Sequence, residues 1–406
     1  MMRVVVCGSG PAGLWAARRA AEAGAQVTVL EARKRLGAKL LVSGAGKCNF
    51  TNVLNAEGQA RRFGRQWRFM MPALEALPPE LLIEELAKSG VRAKLVDGQY
   101  YFPESDRAGD VLDAFKSPGV SYITATAATR LLTRNGAVAG VVADDGTEYA
   151  ADALILATGG VSYPQLGAVT DVVYTLAEQA GHKVTPLYPG LVGLTLADKR
   201  FVGLAGQSLE NAGITFEDRA HTLKSSGVLL FTHTGLSGPA VLDIAHEVAR
   251  APGVARLRWH AERNGAWWEQ FFMENARKNG KKLAVATLGG QFTRRVAELI
   301  FELGQVPLGR IAAELGAAER RNLAALLAAT PLEVTGTDGW SKAMVTSGGV
   351  ALKEVEAETL GSRILPGLFF AGELLDLAGP CGGFNIQWAC SSGALAGSSA
   401  ARRFFG

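Results

Sequence analysis

Cysteine and histidine are scarce in this sequence, four of the one and five of the other among 406 residues. Cys7, Cys48, Cys381 and Cys390 form no CxxC pair, and no histidine stands at a spacing that suits zinc. Neither a redox dithiol nor a metal site is expected. Isolated cysteines in a chain of this length point to a reducing compartment, so the expected location is cytoplasmic. No apolar run approaches the ~18 residues of a membrane span. The opening "MMRVVVCGSG" is too poor in apolar residues for a signal-peptide core, so no membrane partner is expected. Charge is nearly balanced at +4, which gives no electrostatic reason to expect a nucleic acid. The densest basic run, "RRFGRQWR" from Arg61 to Arg68, lacks an accompanying nucleic-acid-binding signature and reads as a solvated helix face.

Glycine is in excess: 49 residues, where an average composition of about 7% would supply far fewer. The glycines gather near 8–13, 43–46, 159–160, 235–238, 347–349 and 379–383, which marks turns and close backbone approaches rather than low complexity. The first cluster follows an apolar strand, Val4 to Cys7, and Gly8, Gly10 and Gly13 spell GxGxxG. Apolar residues Leu14, Ala17, Ala20 and Ala21 then recur at helical spacing until Gly24, and "VTVL" leads to Glu31. In a dinucleotide site the first glycine makes the turn, the second admits the pyrophosphate, and the third lets helix and strand pack. Pro11 and Ala12 open the helix whose N–H groups face the phosphates. Glu31, at the end of the second strand, is placed to bind ribose hydroxyls, and its charge suits NAD or FAD over NADP.

Two later segments decide between these cofactors. Strand-like runs in "VSYITATAATRLLT" and "GAVAGVVADDGTEYA", the latter with an Asp145-Gly146 turn, precede the apolar strand Ala153 to Ala157 and Thr158-Gly159-Gly160. This order resembles flavoproteins of the glutathione-reductase-like superfamily, where such a strand passes beneath FAD. Near the C-terminus, Leu368 to Ala371 leads into Gly372-Glu373, then "GPCGGFN" and a small-residue helix from about Asn385 or Ile386. The resemblance implies that Glu373 meets the ribityl chain, where most relatives carry Asp. A helix beginning after Gly382, Gly383 and Phe384 aims its N–H groups at the edge of the flavin that gains negative charge on reduction. Between the strand ending at Glu31 and these segments lies "KLLVSGAGKCNFTN", Lys39 to Asn52. Its glycines let Ser43 through Asn49 lie along the ribityl and ring portion of FAD, with Gly44, Gly46, Lys47 and Cys48 in contact and Asn49 a polar partner.

With "YFPESDRAGDVLDAF", "LATGGVSYPQLGAVTD", "LLFTHTGLSGPAVL" and "AMVTSGGVALKEV", these stretches resemble the blocks of the BaiN/YhiN-like flavoproteins, in order and over essentially the whole chain. The resemblance implies an α/β fold with a Rossmann-like, glutathione-reductase-like FAD-binding domain. It implies an FAD-dependent oxidoreductase, with NAD(P)H as candidate co-substrate and a small molecule as substrate. Ala32, Lys39, Thr51, Ala128 and Ile386 join the candidate cofactor contacts. The FAD domain is expected to be discontinuous, 1–187 and 343–406. Residues 188–342 form an inserted substrate or cap domain, β-rich and then helical from "WWEQFFMENARKNG", with Pro331 as a stop. Hydride transfer belongs to the flavin, so the protein mainly orients and polarises. His233, Tyr163 and Tyr101 are the candidate catalytic residues; His182, His221, His246 and His260 are expected to be solvated or capping. Three readings compete: an NAD(P)H-linked reductase of an unsaturated or carbonyl compound, an oxygen-dependent amine oxidase, and a flavin-containing nucleic-acid-modifying protein. No second GxGxxG occurs in 188–342, so any nicotinamide visits the flavin transiently.

Overall fold

The computed structural model describes residues 1–166, 173–218, 222–250 and 253–402. They divide into two compact units, one from Met1–Tyr188 with Met344–Gly406 and the other from Pro189–Ala343.

The first unit is organised on a parallel sheet. Its central strand β1 (Arg3–Cys7) lies between β2 (Gln26–Glu31) and the strand Ala153–Leu156. Ser121–Thr124 adds outside β2 and Leu368–Phe370 outside Ala153–Leu156, completing five strands. Covered on both faces, β1 and Ala153–Leu156 are buried over nearly their whole length, which is why they read as unbroken apolar runs. The run from Val120 to Thr133 is two strands, not one. Ser121–Thr124 ends at Ala125, whose φ is 53°. The amides of Ala125 and Thr126 then donate to the carbonyls of Arg33 and Glu31, drawing the chain past the end of β2. Ala128–Arg134 belongs to a separate antiparallel meander with Ala137–Ala143 and Glu148–Ala150, the last pair joined at Asp145-Gly146.

Helix α1 (Pro11–Glu22) packs on the sheet and on a closing helix, Phe384–Arg402. This contact is made by backbone. A Cβ on Gly393 would stand 2.1 Å from the Ala12 carbonyl oxygen, and one on Gly397 would stand 2.2 Å from that of Ala16. Residue 12 meets 393 and 16 meets 397, so the helices run parallel. Gly393 lies nine residues into the closing helix, so this helix begins about 13 Å before the level of Ala12 at 1.5 Å per residue. A second core gathers beneath α1: Trp15, Leu40, Cys48, Phe50, Phe115 and Cys390 are buried together.

The second unit carries a seven-stranded sheet whose neighbouring strands pair antiparallel. Its helices include Gly265–Lys278, Arg294–Leu303 and Ala317–Ala329. Trp259 and Trp268 are buried in its core, whereas Trp267 is exposed beneath Arg263. Pro331 follows the last helix and lies in the edge strand Thr330–Leu332, where the missing N–H costs no ladder bond.

Gly397→Val would force the two backbones apart, since the opposing atom is a carbonyl oxygen and not a side chain that can swing away. A loss of about 2–3 kcal/mol is expected, read as a lower midpoint in thermal and urea denaturation together with reduced bound pigment. An unchanged midpoint would show that the helices do not meet in this way.

Candidate functional site

The carboxyl ends of β1, β2 and Ala153–Leu156 open into one groove, lined along its length by the residues of the first unit. The GxGxxG turn forms one wall, and each glycine there has a separate geometric cause. Gly8 has φ 103°, and a Cβ on it would stand 2.3 Å from the Ala157 carbonyl oxygen. A Cβ on Gly13 would stand 1.9 Å from the Gly8 carbonyl oxygen, so this glycine is needed for packing and does not line the groove. At Gly10 no atom would lie within 4 Å of a Cβ: this position is open toward the groove. With Pro11 and Ala12 it begins α1, whose N-terminus no side chain caps. The first-turn N–H groups have no acceptor within the helix. The cradle therefore fits a phosphate group approaching over Gly10.

Glu31 faces the same groove. One carboxylate oxygen accepts from the Ser9 amide (3.0 Å) and the Ser9 hydroxyl, the other from the Arg33 amide (2.9 Å). These bonds fix the carboxylate and leave acceptor capacity for a ligand hydroxyl, since a carboxylate offers about four lone-pair sites. Ala32 lines the groove beside it, and across from it run Thr126, Ala127 and Ala128.

Farther along, a polar cluster joins four segments of the chain. Lys39 Nζ donates to the Gly160 carbonyl (2.7 Å) and Ser162 Oγ (3.1 Å) and pairs with Glu373 at 3.5 Å. Glu373 accepts in turn from Ser162 Oγ (3.2 Å) and the Thr346 amide (2.7 Å). Thr346 Oγ1 accepts from the Val161 and Ser162 amides. Gly372 does not line the groove; its amide donates to Ser392 Oγ and its carbonyl accepts from Trp388 Nε1, which clamps Gly372-Glu373 to the closing helix. Thr158 and Gly159 line the floor, with the Thr158 hydroxyl donating to the Val173 carbonyl. Asn385 and Ile386 line the far end, and the Asn385 amide is bonded to Gly379 and Pro380.

The stretch Lys39–Asn52 is built differently from the expectation. Lys39 and Ser43 reach the groove, on and just after a short helix, Ala38–Val42. The residues after them are not among its lining. The amides of Lys47 and Cys48 fold back onto the carbonyls of Gly44 and Ser43, so they are not offered to a ligand. Lys47 is exposed, Gly46 lies in the turn, and Cys48 is buried in the core, where burial pushes its thiol up to about 12. Asn49, in the amide orientation that satisfies it, donates to the carbonyls of Thr51 (2.9 Å) and Tyr101 (3.2 Å). Thr51 Oγ1 accepts from Gln59. The role of this half is to brace a turn. Asn52 Nδ2 donates to the Gly382 carbonyl (2.9 Å), and a Cβ on Gly383 would stand 2.8 Å from the Thr51 carbonyl. Gly382 and Gly383 thus press against 49–52 and set the start of the closing helix at Phe384, which is itself buried.

The catalytic candidates separate. Tyr163 (φ 52°) follows Ser162 on the segment between groove residues Gly160 and Leu166. Tyr101 sits in the strand Tyr100–Pro103 and packs on the core around Phe50. Its neighbour Tyr100 points to the opposite face, as alternation in a strand requires, and lies where a Gly382 Cβ would stand 2.7 Å from its ring. His233 belongs to the second unit and is exposed on the turn between Thr232 and Thr234. His182 is buried rather than solvated: its Nε2 shares a 2.7 Å hydrogen bond with Ser362 Oγ, and burial lowers its pKa. His221 lies outside the described residues. Sequence reasoning missed Thr126, Ser162, Thr346 and Trp388; only the repeated Gly-Gly and Ser-Gly-Gly punctuation beside Ser162 and Thr346 hinted at them.

Residues 2–399 match the family model of the HI0933-like protein Rossmann domain. The chain belongs to this family. Among similar proteins, the 3-dehydro-bile acid delta(4,6)-reductase of Clostridium scindens is 31% identical over 414 residues, covering 99% of this chain and 100% of that one. A ribosomal RNA dihydrouridine synthase of Escherichia coli K12 is 31% identical over 395 residues, covering 96% of this chain and 95% of its own length. Of solved structures, the open conformation of a flavocytochrome c3 fumarate reductase has TM-score 0.51 at 17% identity, over 99% of this chain and 78% of that one. A 3-ketosteroid delta1-dehydrogenase from Sterolibacterium denitrificans has TM-score 0.51 at 13% identity, over 99% and 100%. These two show a shared fold. This HI0933-like protein is an FAD-dependent oxidoreductase with a Rossmann-type FAD-binding domain. The open position at Gly10, the uncapped start of α1 and the fixed Glu31 carboxylate fit that cofactor.

Glu31→Arg removes an acceptor in the groove and leaves the Ser9 and Arg33 amides facing a cation. FAD affinity is expected to fall by about 1–3 kcal/mol, measured by titrating the apoprotein with FAD and following flavin fluorescence. Unchanged affinity would mean that Glu31 does not meet the cofactor.

Proposed function

We propose that this protein reduces a carbon–carbon double bond conjugated to a carbonyl, with NAD(P)H as the reductant. The observation that carries the reading is the parallel, staggered pair of helices, which brings a second helix N-terminus to the far end of the groove. Two relatives support the choice of reaction. A 3-dehydro-delta(4,6) bile acid and a uridine, the compounds named for them, have in common a double bond in conjugation with a carbonyl.

In this reading the Gly8–Ala12 turn and the start of α1 hold the pyrophosphate, and Glu31 holds the ribose hydroxyls. Lys39 and Glu373 meet the ribityl chain, and Asn385, Ile386 and the start of the closing helix lie against the ring. When bound, FAD carries hydride between nicotinamide and substrate. The positive end of the closing helix favours the negative charge that two-electron reduction places at its edge of the ring. Overall, hydride is added to the carbon β to the carbonyl and a proton to the α carbon, while NAD(P)H becomes NAD(P)+. Tyr163 Oη is assigned the proton, because Tyr163 alone of the three candidates stands on a segment anchored in the groove on both sides. The nicotinamide docks transiently, in keeping with the single GxGxxG of the chain.

The test is anaerobic. NADH or NADPH should bleach the yellow protein, and an enone such as a 3-oxo-delta(4) steroid should restore the colour faster than air does. Tyr163→Phe should retain the FAD spectrum and the bleaching by NAD(P)H, with reoxidation by the enone slowed roughly 100-fold or more, the range for a general acid. Bleached protein that air reoxidises within the mixing time but enones leave untouched would instead indicate an oxidase and overturn the reading.

A further inference from the structure

A nicotinamide dinucleotide that visits the flavin brings phosphates of its own, and the groove has little left to meet them. Arg33 and Lys39 are the cations among its lining residues. Arg33 stands two residues beyond Glu31, at the other end from the closing helix. Lys39 is engaged by the Gly160 carbonyl, Ser162 and Glu373. The chain holds a single GxGxxG, so no second helix start is shaped in that way for a diphosphate. Counter-charge for a second dinucleotide has to come from side chains outside the groove.

Such side chains stand beside the start of the closing helix. Helix Ala56–Arg61 ends, a tight turn spans Gly64–Gln66, and helix Trp67–Ala76 follows. Arg61, Arg62, Arg65 and Arg68 are all exposed. Arg61 pairs with Glu57, whereas Arg62, Arg65 and Arg68 make no ion pair among the described residues. The guanidinium carbon of Arg62 lies 5.7 Å from the Phe384 ring centroid, and those of Arg61 and Arg68 lie 4.4 and 4.7 Å from that of Trp67. Ring contacts restrict long side chains before a ligand arrives, so less entropy is lost on binding. Phe63 pins the segment in place: its ring meets Phe384 edge-on at 6.5 Å and fills the space over Gly379, where a Cβ would stand 2.5 Å from it. Phe384 begins the closing helix, and the next two residues line the groove.

We propose that Arg62, Arg65 and Arg68 form the docking site for the phosphates of the nicotinamide cofactor and select NADPH over NADH. The proposal rests on the NAD(P)H-linked reading given above and names its reductant. With the nicotinamide ring against the flavin, the rest of the dinucleotide leaves the groove past Phe384. Arg62, seated on Phe384, meets the diphosphate, which leaves Arg65 and Arg68 for a further anionic group. NADH has none. NADPH carries a 2′-phosphate of about −1.5 to −2 charge, and a forked guanidinium holds such a group by two parallel hydrogen bonds.

The experiment uses the full FAD-loaded chain. Adenosine 2′,5′-bisphosphate, titrated into the oxidised protein by calorimetry, should bind at least about ten-fold more tightly than adenosine 5′-phosphate. In anaerobic stopped flow, the Kd for NADPH, taken from the rate of flavin bleaching, should lie below that for NADH by a similar factor. Arg65→Gln/Arg68→Gln should raise the Kd for NADPH about ten-fold or more, as expected for lost charged hydrogen bonds, and that for NADH by less than about three-fold. The limiting rate of bleaching and the flavin spectrum should hold, a split that a merely structural role would not give. Lys281→Gln/Lys282→Gln, the same change in net charge elsewhere, should leave both Kd values within about two-fold. Equal affinity for NADH and NADPH, equal loss of both in the arginine variant, or equal loss in the lysine variant would overturn the site. Displacement of the bisphosphate by inorganic phosphate at equal concentration would do the same. The two readings fail separately. NADPH-selective bleaching that the arginine variant weakens, with no enone able to restore the colour, overturns the assigned reaction alone. Enone reduction with no preference between NADH and NADPH overturns the arginine site alone.

Discussion

The site depends on two helices touching without side chains. Ala12 and Ala16 of α1 present backbone carbonyls to Gly393 and Gly397 of the closing helix, and nothing larger than hydrogen fits between them. That contact joins segments from opposite ends of the chain and fixes both axes together. It also fixes their stagger, with one helix N-terminus at the GxGxxG turn and the other about 12 Å beyond it along the helix axis. A dinucleotide site needs only the first. A cofactor whose pyrophosphate and redox ring are held apart by a ribityl chain has use for both. The spacing between the two positive ends follows from which residue of one helix opposes which residue of the other.

The two groove carboxylates illustrate how charge is held ready at such a site. Glu31 is fixed by backbone amides and a hydroxyl of its own βαβ unit, so its position follows from the turn that also builds the phosphate cradle. Glu373 is fixed by distant parts of the chain, through Lys39, Ser162 and the Thr346 amide. Its side chain spans to the Thr346 amide while staying beside Gly159. A group assembled from four segments restrains all of them, so the cluster also ties the loop after Ala153–Leu156 to the strand leading into the closing helix.

Local pattern made the nucleotide-binding unit legible. The apolar strand, the three glycines, the helical spacing and Glu31 all lie within about thirty residues, and each has a separate geometric cause in the structure. What was not legible is long-range. Which half of Lys39–Asn52 faces the groove depends on Asn52 and Thr51 meeting Gly382 and Gly383, more than three hundred residues away. That Tyr101 packs on the core while Tyr100 lies against Gly382 depends on strand register, because a shift by one residue exchanges the two faces. His182 carries no local sign of its burial, which comes from Ser362 and Phe370.

The arginine run Arg61–Arg68 is solvated as expected, but it is not one helix face: a turn at Gly64–Gln66 separates helix Ala56–Arg61 from helix Trp67–Ala76. A net charge of +4 averages over the chain, whereas potential at the surface is set by charges within about one Debye length, ~8–10 Å in physiological salt. Four guanidiniums with a single paired carboxylate make a strongly positive patch whatever the total. The break at Gly64 lets Trp67 and Phe63 turn in opposite ways, one beneath two arginines and the other onto Gly379. An uninterrupted helix would have spread the same cations around its circumference. The turn instead sets Arg61 and Arg68 on the Trp67 ring and Arg62 on Phe384, so the local charge is set by a backbone feature that neither net charge nor hydropathy records.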